Sequence, residues 1–390
     1  MRVRPSVALL IESSNAYARG LLRGISAYVR EHESWSVFLP EYERGHEPPR
    51  WFRTWQGHGI IARIENPQIA RVVKSLKRPV VDVSAARAVP GVPWVETDDA
   101  AVAKMGYEHL RERGFRQFGF CGDPRFNWSN WRGEQFAALA AADNCPCFLY
   151  QSRILRGKPL AWTRELQALC RWVRGLPKPI GILACYDFKA QQLLDACRSE
   201  GIAVPEEIAV VGVDNDDLVC DLCEPRLSSI ILNPFQAGYT AAQLLDRLMA
   251  GDTEQPETHL VPPIGVETRP SSSTFAVDDR LVSSALQFIR QHFRDGITVA
   301  DVARAVKASR RALDCRFVAA LGRTPHAEIA RLRIERVKQL LLETDLPLGV
   351  IADRAGFSYV ESLSVAFRQA VGMPPGQFRR RHAAAADRRG

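Results

Sequence analysis

Six polar side chains stand at or just after short apolar runs, where a buried strand would deliver its last residues to a surface. Asn15 follows Val7 to Ile11, Asp82 ends the run Val80 to Val83, and Tyr186 and Asp187 follow Ile182 to Ala184. Asp214 follows Val210 to Val213, and Arg132 opens a helix behind Phe126-Asn127-Trp128. Asn and Asp accept hydrogen bonds and Arg donates them, so together they can hold vicinal hydroxyls while Trp or Phe stacks on the apolar face of a sugar ring. That is the chemistry of holding a polyol, with no bond made or broken. Each residue also has a plainer use, because Asn or Asp after a strand commonly caps the next helix. Trp128 and Trp131 fit a ligand wall or a packed lid equally, Asp98 reads as a cap, and Asp216 and Asp217 read as capping or solvated. What favours a ligand at Asn15, Arg132 and Asp214 is their convergence on one expected edge.

A second set carries a different chemistry. Leu313, Phe317, Gly322 and Pro325 recur as Leu363, Phe367, Gly372 and Pro375, each 50 positions later. The apolar members read as core of a small helical domain. The other face of the first copy holds Ser309, Arg310, Arg311, Asp314 and Arg316, and that of the second holds Val360, Glu361, Ser364 and Arg368. Long donors on an exposed helix suit phosphate oxygens and base edges, although such faces are often merely solvated.

Catalytic patterns are missing. The sequence has no Gly-rich phosphate loop of the right spacing, no Gly-x-Ser-x-Gly turn and no His pair at metal-ligand spacing, so an enzyme acting in a cleft is the weaker reading. No cofactor is required. Cys220-Asp221-Leu222-Cys223 and Cys145-Pro146-Cys147 lack the second pair or the His cluster of a structural zinc site, and no metal is expected.

Charge separates the chain into two parts. Residues 278–390 hold 20 Lys and Arg against 12 Asp and Glu, whereas residues 1–277 hold 32 of each, so the whole net charge of +8 lies with the helical repeat. A neutral body joined to a basic domain suggests that one end meets phosphate. The apolar run near the amino terminus is too short for a signal peptide, no stretch is long enough to span a bilayer, and the nine cysteines read as reduced thiols. The expectation is a cytoplasmic protein.

The elements that must position these residues follow from periodicity. Strand-like runs (Val7 to Ile11, Ser36 to Leu39, His58 to Ile64, Val80 to Val83, Phe118 to Cys121, Phe148 to Gln151, Ile180 to Ala184 and Ile208 to Val213) alternate with helical stretches such as Ala18 to Arg30 and Gln68 to Leu76. Such alternation implies parallel sheets covered on both faces, and the strands are too many for one sheet, so two α/β lobes with a cleft at their carboxyl strand ends are expected. Polar, Pro-led Arg269 to Thr274 has a linker's composition, giving a body over 1–268, a linker over 269–277 and a helical domain over 278–384. In that domain Asp278 to Phe293 forms one amphipathic helix. Val299 to Val306 and Leu348 to Ala355 each precede a copy of the repeat, with Thr298-Asp301, Ser309 and Ser358 as caps, and His326 to Glu343 is the spacer. Helix, tight turn, helix occurs twice, and two such units held apart could enter successive major grooves.

Residues 297–381 resemble the DNA-binding domain of the AraC family of transcription regulators, most closely in Ile351-Ala352-Asp353-Arg354-Ala355-Gly356-Phe357 through Phe367, Gly372 and Pro375. Cys315 and Val365 depart from the long polar residues often found there. Residues from Arg4 to Thr268 resemble the periplasmic-binding-protein fold that serves LacI-type repressors as sensor. Val211-Gly212-Val213-Asp214 resembles the strand that ends in a sugar-binding Asp, and Arg132, within Trp131-Arg132-Gly133-Glu134-Gln135-Phe136, lies where a sugar-binding Arg is found. The amino-terminal DNA-binding module of LacI proteins is absent from the sequence as read. Sensor first and reader last resembles a pentose-responsive activator. The resemblances imply an α/β two-lobed periplasmic-binding-protein-like domain followed by an all-α domain with two helix-turn-helix motifs. They imply as partners an operator duplex, a monosaccharide effector, a second copy of the chain and, for an activator, RNA polymerase; a repressor or a non-sugar effector is the alternative.

Overall fold

Several strands form on runs of β-branched and aliphatic residues, the first among them. In β1 (Ser6–Leu10) successive side chains point to opposite faces, and both faces are covered. Val7 and Leu9 pack with Leu21 and Ile25 of α1 (Ala16–Glu31), while Ala8 and Leu10 pack with Ile60 and Ile69 on the other side. The computed structural model describes residues 4–32, 34–40, 50–152, 162–251, 258–273, 279–344 and 346–379. It divides into two compact bodies, with the main break between Ser273 and Thr274.

The first body is two-lobed. After β1 and α1 come β2 (Ser36–Phe38), β3 (Gly59–Ala62), α2 (Pro67–Leu76), β4 (Val80–Asp82) and β5 (Trp94–Thr97). The chain then enters the second lobe with α3 (Asp99–Glu112), β6 (Phe118–Gly122), α4 (Asn127–Ala142), β7 (Cys147–Gln151), α5 (Trp162–Gly175) and β8 (Ile180–Ala184). That lobe continues with α6 (Asp187–Ser199), β9 (Ile208–Val213), α7 (Asp217–Leu222) and β10 (Ser228–Ile231). Helix α8 (Pro234–Met249) and β11 (Thr258–Val261) return to the first lobe, and β12 (Gly265–Glu267) goes back to the second. The sheets run β11-β5-β4-β3-β1-β2 and β12-β10-β9-β8-β6-β7, parallel except where β12 meets β10. The expected pair of lobes is therefore present. Helices α1 and α8 pack backbone to backbone: a Cβ built on Gly24 would lie 2.0 Å from the Phe235 carbonyl oxygen, so any larger residue would force them apart.

One expectation fails here. Arg269 to Ser273 is part of the second lobe rather than free linker, because its polar side chains replace missing backbone partners. Ser271 and Ser272 are fully buried. Ser271 Oγ accepts from Ser228 N and donates to the Val210 carbonyl (2.7 Å), and Ser272 Oγ meets His109 Nε2 at 2.8 Å. Arg269 donates to Asn215 and to the Leu227 carbonyl. The rest of the expected linker, 274–277, lies outside the described residues, as do Asp278 and the tail beyond Arg379.

The second body is helical: α9 (Arg280–His292), α10 (Val299–Ala305), α11 (Arg310–Leu321), α12 (Pro325–Glu343), α13 (Leu348–Arg354) and α14 (Val360–Val371). Thr298 and Asp301 form the expected capping box, Ser309 accepts from Ala312 N, and Gly322 and Gly372 end their helices with φ of 69° and 78°. Ser358 does not cap α14; Tyr359 occupies that position without a side-chain bond, because the helix begins one residue later than the Ser requires. Pro347 is the N-cap residue of α13.

Candidate functional site

A cavity of about 120 Å³ opens where carboxyl strand ends of the two lobes meet. Asn15 beyond β1, Arg63 beyond β3 and Glu96 in β5 form the first-lobe wall; Arg132 and Trp128 of α4, Tyr186 and Asp187 beyond β8, and Asp214 beyond β9 form the other.

The first wall is a chain of paired charges. Asn15 caps α1 by accepting from Ala18 N at 2.8 Å, and its Nδ2 donates to Glu12 at 2.9 Å. Glu12 is buried and pairs with Arg63 at 2.5 Å, while the other arm of Arg63 reaches Glu65 at 2.8 Å. The Arg63 guanidinium lies 5.7 Å from the Tyr17 ring centre. Tyr17 Oη donates to Glu96 Oε1 at 3.1 Å and meets Thr97 Oγ1 at 3.2 Å. Burial, reinforced by the nearby Asp99 charge, pushes the Glu96 carboxyl up to about 7, and burial together with Glu96 raises the Tyr17 phenol.

Arg132 is the fixed donor of the second wall. Its Nε donates to Asp99 Oδ1 and its Nη1 to the Cys185 carbonyl, both at 2.7 Å, and Trp128 lies under the guanidinium at 4.9 Å. Burial alone would lower its pKa, but the Asp99 and Asp214 charges outweigh that and raise it. Trp128 stacks on Phe126 and presents its edge to Tyr186, making an aromatic flank. Asp214 adopts φ 109°, a conformation that costs a non-Gly residue strain and is kept here at a strand end that lines the cavity. Asp187 is turned inward: it accepts from Ser229 Oγ at 2.5 Å, Asp216 N at 2.8 Å and Cys220 Sγ at 3.6 Å, and burial then the Asp214 charge raise its pKa well above the carboxylate range.

Of the expected residues, the fold brings Asn15, Tyr186, Asp187, Arg132 and Asp214 to this cavity. Asp82 is not among its lining residues. Its carboxylate accepts from Ser84 N, Ser84 Oγ and Ile64 N, so it organises the turn after β4, and burial raises it to about 7. Asp98 caps α3 through Ala101 N, as expected. Trp131 packs in a T-shaped contact with Trp94 and is not among the cavity's lining residues. Sequence reading passed over Arg63, Tyr17, Glu96 and Asp99. Arg63 carries a signal in the sequence, a charge directly after the apolar run Gly59 to Ala62, because β3 ends at Ala62 rather than at Ile64.

The second body offers an exposed basic face. Arg310 and Arg311 are exposed in the first turn of α11, and Arg310 reaches Asp314 only at 3.9 Å. Arg316 donates to Asp279 at 3.3 Å and is therefore less available than its neighbours. On α14, Glu361 and Arg368 are exposed and Ser364 half-buried. Val360 was expected on this face but packs against the second hydrophobic core, because it lies three and seven residues before Leu363 and Phe367 and so shares their buried helix face. Cys315 and Val365 are both exposed, so apolar or weakly polar groups occupy the middle of each outward face.

Residues 6–100 match the XylR N-terminal domain, residues 107–272 a periplasmic binding protein-like domain, and residues 302–381 a helix-turn-helix domain. The chain is 31% identical over 384 residues to the xylose operon regulatory protein of Escherichia coli strain K12, covering 96% of this chain and 97% of that one. It is 31% identical over 381 residues to the protein of the same name from Haemophilus influenzae, again covering 96% and 97%. Among solved structures, that of the xylose-binding transcription activator xylR superposes with a TM-score of 0.65 at 31% identity, covering 97% of this chain and 98% of that one.

Proposed function

The chain belongs to the XylR family of sugar-sensing, DNA-binding transcription regulators, and from that premise we propose that it is a cytoplasmic, homodimeric activator whose effector is a xylose-like pentose. The observation that carries the sugar reading is the cavity itself. A fixed guanidinium (Arg132), acceptors on both walls (Asn15, Glu96, Asp214) and an aromatic flank (Trp128, Tyr186) surround about 120 Å³, which suits one small polyol ring rather than a chain of rings. Arg310, Arg311 and Arg368 are proposed to meet the operator, with Ser309, Asp314, Arg316, Glu361 and Ser364 around them. Activation, the role named for one solved relative, would require contact with RNA polymerase.

Effector binding shifts the sensor toward whichever lobe arrangement it binds better, and no further than that difference in affinity allows. In an isologous dimer this alters the spacing of two readers, and paired readers gain affinity through effective concentration only where their spacing fits the operator. Coupling is reciprocal, so DNA must raise sugar affinity by the factor by which sugar raises DNA affinity. Calorimetric titration of D-xylose tests the reading. Asp214→Ala should weaken binding about tenfold or more, the cost of a lost charged hydrogen bond, with DNA affinity in the absence of sugar unchanged. No heat with D-xylose or other pentoses would reject the effector, and equal sugar affinity with and without operator would reject the coupling.

A further inference from the structure

The helical body has two hydrophobic cores strung on one helix. Val302, Leu313 and Phe317 form the first with Ile329 and Leu332 of α12; Ile351, Leu363 and Phe367 form the second with Ile334, Val337 and Leu340 of the same helix. The changeover falls between Leu332 and Ile334, and Arg333 occupies it. Its Nε donates to the Phe293 carbonyl at 3.1 Å and its Nη2 to the Ile297 carbonyl at 3.0 Å, both just beyond α9 in the first half. Its guanidinium lies 5.8 Å from the ring centre of Phe357, in the second half. One side chain therefore joins both halves at the seam.

A backbone contact reinforces it. Gly356 turns the chain after α13 with φ 78°, and a Cβ built there would lie 2.3 Å from the Phe293 oxygen and 3.0 Å from Arg294 Cα. The second half's turn thus rests directly on the first half's backbone, a contact that cannot yield as a side chain would. Helix α12 crosses the seam unbroken for 19 residues, about 28 Å at a rise of about 1.5 Å per residue.

We propose that Arg333 and Gly356 are positioning residues that fix α11 against α14 and so set the base-pair spacing accepted between two successive major-groove contacts. This rests on the reading of α11 and α14 as the DNA-reading helices. An inserted base pair rotates the second contact by about 35° and displaces it by about 3.4 Å, so a rigid pair of helices must deform the duplex to follow.

The test uses the full chain with D-xylose present. Wild-type protein selects duplexes from a random library, footprinting locates the two protected segments, and one base pair is inserted between them. Wild type should lose at least about tenfold in affinity on insertion. Arg333→Ala and Gly356→Ala should lose less than about threefold on the same insertion. A merely structural defect would weaken both duplexes alike and leave that ratio unchanged. If Gly356→Ala fails to fold, Arg333→Ala, shown folded by circular dichroism, decides alone. A variant that keeps the wild-type insertion penalty overturns the clamp while leaving the DNA-reading helices in place. A wild type that tolerates the insertion, or protects a single segment, overturns the reading of two coupled helices and the clamp with it.

Discussion

The cavity wall and the exposed face of α11 both carry arginine, but in opposite surroundings. The Arg132 and Asp99 side chains are each 5% exposed and bond to each other, Arg132 also to the Cys185 carbonyl, whereas the Arg310 side chain is 71% exposed and reaches its partner only at 3.9 Å. A buried charge is committed by its neighbours before any ligand arrives, so it contributes direction. An exposed charge keeps its freedom and contributes attraction that salt can screen. Within one chain, the same residue type is therefore held in place in one body and left exposed to solvent and salt in the other.

The contrast is broken most directly at Asp99. Asp99→Ala leaves the Arg132 guanidinium buried without its carboxylate, and truncating one member of a buried pair costs about 3–5 kcal/mol. Denaturant unfolding of the full chain should show that loss, and a loss below about 1 kcal/mol would mean that Asp214 takes over the pairing.

A somewhat smaller effect is expected from pH. Glu96 titrates at about 7 in the folded protein against 4.5 for an unperturbed carboxyl, so between those values the folded chain binds more protons than the unfolded one. Stability is therefore greatest below about pH 4.5 as far as this group is concerned, and falls as pH rises through 7, by on the order of 3 kcal/mol. Glu96→Gln should remove its share of that slope. The remainder belongs partly to Asp82, which burial also raises to about 7. Unfolding curves between pH 5 and 8 that keep the wild-type slope in Glu96→Gln would contradict the assignment.

The smallest effects separate residues within the reader face. Arg310→Ala or Arg311→Ala should cost about 1–3 kcal/mol in DNA affinity if a base edge is read, or reduce the salt slope by about 0.9 if a phosphate is held, with stability unchanged within about 0.5 kcal/mol. Arg316→Ala should cost less, about 0–1 kcal/mol, because Asp279 already engages that side chain. Equal losses at all three, measured by salt-dependent binding assays, would show that Asp279 releases Arg316 on DNA.

The strands recovered from sequence are mostly apolar runs, such as Ile180–Ala184 and Ile208–Val213. Those passed over carry polar residues that only the fold satisfies. Trp94–Thr97 contains Glu96, which Tyr17 and Thr97 neighbour, and Ser228–Ile231 opens with two buried serines bonded to Ser271 and Asp187. The same cause misplaced the linker, because polar composition reads as exposure until a partner is known. Asp82 was misread through its position: being at a strand end says little about which cavity receives the side chain, and Ser84 received this one.

The amino-acid sequence by itself determined whatever depends on neighbours along the chain. Periodicity set the alternation of strand and helix, Thr298, Ser309 and the two terminal glycines set the helix ends in the reader, and the uneven distribution of Arg located the basic body. Tertiary structure decided what depends on residues far apart in the chain. Only the fold sets Asp99 beside Arg132 and Tyr17 beside Glu96, and only it brings Arg333 to the Phe293 carbonyl. Burial then converts those meetings into fixed charges and raised pKa values, because the energy of an ionised group is set by what surrounds it in space rather than by what precedes it in sequence.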